Sequence, residues 1–184
     1  MFIPRTKQTP SEKRKNTMKR IISAVSTALV LIFGFFMLRG QAVAQTSGDF
    51  VGTWTLVSAS FERPDSSKGD MFGPNPLGIL MFDGGGRVAY QEMRSDLPKF
   101  ASNNRLESTP EENKAVVQGC ICAFGTYSVD AATKTMSIHF EGCSFPNWIG
   151  TDSKRMFTLA ANELTWSGVS TFGKPFSTVW KRTK

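Results

Sequence analysis

Apolar residues along this chain come in short runs bounded by glycine, proline, asparagine or aspartate, and most runs alternate with polar residues at a spacing of two. That period marks a strand with one face turned to a core. The runs predict strands over residues 54–61, 79–82, 87–93, 120–129, 135–141, 154–160, 163–170 and 176–182. Asp83-Gly84-Gly85-Gly86 joins the second and third as a hairpin turn, because positive φ is cheap for glycine and tolerated by aspartate or asparagine. Residues 130–134 and Ala161-Asn162 have the length and chemistry of two more hairpins. About eight strands in sequential, antiparallel order predict an all-β up-and-down barrel or sandwich.

In the first strand, strict alternation puts Trp54, Leu56, Ser58 and Ser60 on one face and Thr55, Val57, Ala59 and Phe61 on the other. Neither face is a solid row of large aliphatic side chains, which favours a barrel with space inside it. One short helix interrupts the strands. Ser108-Thr109-Pro110-Glu111-Glu112 supplies an N-cap, a proline in the first turn and acids at the positive end of the helix dipole, and Gly119 supplies the stop. Ala115, Val116 and Cys120 are its expected barrel-facing residues. No segment repeats, so solenoids and propellers are excluded.

Charge changes the picture at one end only. Of the 22 Lys and Arg, eight lie in residues 1–44 against the single acid Glu12, a net of +7 that equals the net charge of the whole chain. The other 14 bases and 14 acids cancel, so the body has no basic surplus to draw it to nucleic acid. Residues 1–44 read as a signal peptide, with Met18 a second candidate for the initiator. Met18-Lys19-Arg20 forms a positive start, residues 28–38 an apolar core, and Ala42-Val43-Ala44 a small-x-small cleavage site before Gln45. The expectation is export to the periplasm or beyond, with no membrane attachment after cleavage. The alternative is an uncleaved anchor through residues 21–38, 18 residues being just enough to span a bilayer. Residues 45–184 are 140 in number, the size of one domain.

Three cysteines, Cys120, Cys122 and Cys143, and one histidine, His139, fall in that domain. An oxidising compartment permits one disulfide, Cys143 with Cys120 or Cys122, because a hairpin through residues 130–134 lays Cys143 across from that pair. Cys120-Ile121-Cys122 lacks the C-x-x-C spacing of a zinc knuckle, so no metal site is expected. Nor does any nucleophile motif or helix-opening phosphate loop appear, and no cofactor is expected.

Several segments carry a resemblance. Gly52-Thr53-Trp54 is similar to the G-x-W signature of lipocalin-type barrels, and Trp180-Lys181-Arg182 on the last strand is similar to the region that supplies the family's late arginine. Phe72-Gly73-Pro74-Asn75-Pro76, Met93-Arg94, residues 98–105, residues 109–114, Phe124-Gly125-Thr126-Tyr127 and Phe145-Pro146-Asn147-Trp148 follow in the order found in the bacterial and fungal lipocalin-like domain family. The resemblance covers about 130 residues and implies a lipocalin-like barrel with a cation closing over Trp54. The three cysteines depart from the family pattern.

The residues chosen as ligand-binding candidates are Tyr90, Arg94, Asn103, Asn104, Arg105, His139, Asn147 and Trp148. His139 can exchange a proton near neutral pH, with Glu141 two residues on and so on the same strand face, or it is a strand histidine bonded to a neighbour. Arg94 opens a long polar loop with Asn103-Asn104-Arg105; the planar guanidinium suits a carboxylate, and equally suits a network tying the loop to the barrel. Asn147 and Trp148 belong either to a mouth loop or to a plug of the barrel end. The favoured reading is an exported protein holding a small, largely apolar or amphipathic molecule in a barrel cavity. Its alternatives are a cavity enzyme of isomerase or cyclase type using His139 with Arg94 or Glu141, and a filled barrel with a structural role in the cell envelope.

Overall fold

A computed structural model of the chain describes residues 45–183; the predicted signal peptide and the alternative anchor lie outside the described residues. Nine strands form one antiparallel sheet: β1 Gly52–Glu62, β2 Lys68–Asp70, β3 Leu77–Phe82, β4 Arg87–Met93, β5 Cys120–Asp130, β6 Thr135–Cys143, β7 Asp152–Ala160, β8 Glu163–Val169 and β9 Pro175–Arg182. Sequential neighbours pair from β3 to β9, and β9 returns to β1 along seven register partners from Trp54↔Arg182 to Phe61↔Phe176. The eight long strands therefore close into a barrel. The short β2, absent from the sequence expectation, pairs only with the end of β1 after a turn in which Asp65 accepts from the backbone of Ser67. Closure leaves no long sheet edge unpaired.

The hairpin at Asp83 forms as expected, with the Asp83 carboxylate accepting from the N–H of Gly85 and of Arg87 and Gly86 at φ 81°. The helix, α1 Pro110–Gly119, is closed at its start by a capping box: Thr109 Oγ1 accepts from the Glu112 N–H and the Glu112 carboxylate accepts from the Thr109 N–H. Ala115 and Val116 are half-buried, and Gly119 is buried where a Cβ would press on Leu97 and Arg94.

Two bulges overrule strict alternation. On β1 the register shifts between Leu56 and Ser58, so the inward set is Trp54, Leu56 and then Ala59, with Val57 and Ser58 outside. The expected grouping of Ser58 and Ser60 with Trp54 is corrected accordingly. The second bulge lies opposite Phe124 and Gly125, where β6 carries an extra residue. Without it Cys143 would face Cys122; with it Cys143 faces Ala123, and Cys122 exchanges bonds with Ser144 instead. Cys143 thus lies one register position from Cys122, and all three cysteines are free thiols in the structure. Gly125 is required there, because any Cβ would collide with the carbonyl of His139.

The core fills one end of the barrel. Phe50, from a short 3-10 turn at Ser47–Phe50, plugs it and packs edge-on against Phe82 and Phe157. Trp54, Leu80, Met136, Ile138, Leu164 and Trp180 are fully buried behind it. Arg182 lies over Trp54, 4.1 Å from the ring centroid, and donates to the carbonyls of Val51 and Asp49. The Trp54 indole N–H donates to the Phe50 carbonyl at 2.9 Å, and that of Trp180 to Thr178 Oγ1 at 2.8 Å. Gly52, at φ 129°, brings the backbone close beneath the Arg182 guanidinium.

Candidate functional site

The opposite end is not filled. A cavity of about 460 Å³ opens there, a size that takes small-molecule ligands. Strand residues Phe61, Tyr90, Glu92, Ile121, Arg155, Trp166 and Phe176 form its wall, and Phe72, Trp148 and Phe172 come from the connecting segments. Val117 and Gln118 of α1 stand at its rim. Trp166 forms the floor: its ring meets Tyr90 at 5.9 Å on the cavity side and Phe82 and Trp180 at 5.8 and 6.0 Å on the core side.

Inside this mostly aromatic wall stand two charged side chains, Glu92 and Arg155, each 6% exposed. On β4, Val88, Tyr90 and Glu92 are buried at a spacing of two. On β7, Arg155 and Phe157 are buried at the same spacing. Burial pushes the Glu92 carboxyl up to about 7, with Arg155 acting in the other direction. Burial likewise holds the Tyr90 phenol well above its ordinary value. The Arg155 guanidinium sits 4.6 Å from the Phe176 centroid and 5.8 Å from that of Trp148. Its Nε–H and the Trp166 indole N–H are buried without a partner. Glu92 and Arg155 share the chamber without forming an ion pair: the pairs among the described residues are Arg87–Glu141, Arg94–Asp96 and His139–Asp152, all on exposed side chains.

Of the candidates chosen from the sequence, Tyr90 and Trp148 line this cavity. Trp148 stacks on Phe140 at 5.0 Å and 16°. The others stand elsewhere. His139 is on the outer wall, because Ile138 and Phe140 take the inward positions of β6, and its Nδ1 lies 2.8 Å from Asp152. Glu141 is bonded to Arg87 on the surface, and Arg94 forms a two-point pair with Asp96 at 2.8 and 2.7 Å. Asn103, Asn104 and Arg105 are exposed, in a loop held by Asn104 Oδ1 accepting from the Leu106 N–H and by Glu112 accepting from the Ala101 N–H. Asn147 is exposed beside Trp148. A proton carrier at His139, with Arg94 or Glu141 as its partner, therefore stands outside the cavity.

Sequence reasoning passed over Glu92 and Arg155. The signal for Glu92 was present: it continues the Val88–Tyr90 face by one more step of two. Arg155 was harder, since Lys154-Arg155 reads as an exposed basic pair and Met156-Phe157 is apolar on both faces. Among the described residues, no group of three or more His, Cys, Asp or Glu is arranged to hold a metal ion.

The family profile described as a lipocalin-like domain matches residues 51–182. No curated protein matches the chain. Among solved structures, a redesigned beta barrel is similar at 11% identity and a TM-score of 0.41, over 78% of this chain and 100% of its own. A de novo designed fluorescence-activating beta barrel is similar at 12% identity and 0.39, over 74% of this chain and 96% of its own.

Proposed function

The chain belongs to the lipocalin-like domain family, and from that premise we propose that it binds a small, largely apolar molecule in the open-end cavity. The observation that carries this reading is a chamber of about 460 Å³ with an aromatic wall, at the end of the barrel opposite the packed core. Burying a ligand's apolar surface there supplies about 25 cal/mol per Å², and Tyr90, Glu92 and Arg155 orient it. Residues 1–44 serve as the signal peptide in this reading, delivering a domain that starts at Gln45 to the periplasm or the medium. The isomerase or cyclase reading based on His139 draws no support from the arrangement, because that side chain faces solvent beside Asp152.

Native mass spectrometry of the protein purified from its own host, before and after denaturation, tests both parts. The expected result is a chain beginning at Gln45 with a mass excess lost on unfolding. A bare chain that takes up no apolar probe would favour the filled-barrel structural role, and a retained leader would favour the anchor.

A further inference from the structure

The cavity holds one acid and one base that do not touch. Glu92 and Arg155 each lie buried among aromatic side chains, where an unpaired charge is costly. Arg155 lines the cavity, offers only donors, and pairs with no carboxylate among the described residues. A purely apolar ligand would cover these groups and leave them unsatisfied. The missing element is an oxygen-bearing head that accepts from Arg155 and meets Glu92.

We propose that the cavity selects amphiphilic carboxylates, whose head group accepts from the Arg155 guanidinium and shares a proton with the Glu92 carboxyl while the apolar body fills the aromatic chamber. The proposal rests on the binding reading above. Its balance is simple. Two carboxyls sharing one proton carry a single negative charge, Arg155 a single positive one, and the occupied chamber is neutral. No bond is made or broken apart from the uptake of that proton.

The groups facing Glu92 are consistent with this balance. Arg155 of β7 is the cation; Tyr90 on the same strand stays a neutral phenol because it is buried; the Cys143 thiol of β6 is pushed up by burial, and Cys120 stands at the rim. Its cross-strand neighbours Gly78 and Ile121 carry no charge. With free Glu92 half-protonated near pH 7, carboxylate binding above that pH must take up a proton. Apparent affinity then falls by up to about tenfold per pH unit, and it is level between roughly pH 6 and 7.

The test uses the neutral fluorescent probe N-phenyl-1-naphthylamine on the exported domain, displaced by matched pairs: decanoate against decan-1-ol, and 4-phenylbutyrate against 4-phenylbutan-1-ol. At pH 7 each acid should displace the probe at a concentration at least about tenfold lower than its alcohol. Arg155→Met should remove that preference while still taking up the probe. Glu92→Gln should keep the preference and flatten the loss between pH 7 and 9, since an amide N–H donates at any of these pH values. Acids and alcohols displacing alike, or a preference that survives in Arg155→Met, would overturn the proposal and leave the binding reading standing. A protein that takes up neither probe nor acid overturns both. If Arg155→Met does not fold, the acid–alcohol comparison in the unaltered protein and the pH profile of Glu92→Gln decide the matter.

Discussion

The two ends of this barrel use the same side chains to opposite purposes. At the closed end an arginine lies over a tryptophan, and the side-chain donors are engaged on nearby oxygens: Arg182 on the carbonyls of Asp49 and Val51, Trp54 on Phe50, Trp180 on Thr178. At the open end an arginine again lies among aromatic rings, but Arg155 Nε and Trp166 Nε1 have no partner, and Glu92 stands across the chamber without pairing. Satisfied polar groups rigidify a core, whereas unsatisfied buried ones cost stability. One end of the barrel is thus built to hold the fold together, and the other keeps hydrogen-bonding capacity in reserve at the fold's expense.

The largest expected effect lies at the closed end. Trp54→Ala removes a fully buried indole, its hydrogen bond and the surface on which Arg182 rests, and should cost about 3–5 kcal/mol in urea unfolding. A midpoint close to that of the unaltered protein would mean that the packed end does not carry the stability assigned to it.

Next comes a gain at the open end. The Glu92 carboxyl is raised from 4.5 to about 7 in the fold, so the folded state holds more protons than the unfolded one between those values. Its contribution to stability therefore falls as pH rises through that window and is fully unfavourable above about 7, by on the order of 3 kcal/mol. Glu92→Gln should match the unaltered protein near pH 4.5 and surpass it increasingly up to pH 8. Parallel stability profiles for the two proteins would show that the carboxylate has a partner in solution, and the contrast between the ends would lose its basis.

The arginines allow a direct comparison. Arg182→Met gives up a cation–π contact and two bonds to carbonyls, and should cost about 2 kcal/mol. Arg155→Met, measured at pH 5 where Glu92 is neutral, should cost little or stabilise the fold, because a hydrophobic replacement of a buried ion removes its desolvation penalty. Equal losses would place the two arginines in the same structural role.

The same contrast explains what the sequence made legible. The closed end is written in local terms: Gly52-Thr53-Trp54 and the late Arg182 identify it without coordinates. Turn chemistry likewise placed the Asp83 hairpin and the Thr109 cap. The open end depends on parity. A bulge at Val57 and another opposite Gly125 each exchange the two faces of a strand; the isolated Gly125 is the local mark of the second, and no residue type announces the first. The first hid the continuous inward face of β1, and the second moved Cys143 away from Cys122. Charged residues that turn inward read as exposed until the neighbouring strands fix which face is which, so Arg155 was passed over, while His139, Arg94 and Glu141 drew attention on the grounds of chemistry alone.

The smallest expected effect marks the boundary of both regions. His139 and Asp152 meet at 2.8 Å on the outer wall, with side chains 48% and 73% exposed. Exposed pairs of this kind contribute about 0–1 kcal/mol, since solvent screens the attraction and both side chains lose freedom in making it. His139→Asn should therefore shift the unfolding free energy by less than about 0.5 kcal/mol and leave displacement of the fluorescent probe unchanged between pH 6 and 8. A change in ligand affinity from this substitution would mean that β6 transmits events on its outer face to Ile138 and Phe140 inside, and the separation of that strand's outer face from the aromatic chamber would have to be abandoned.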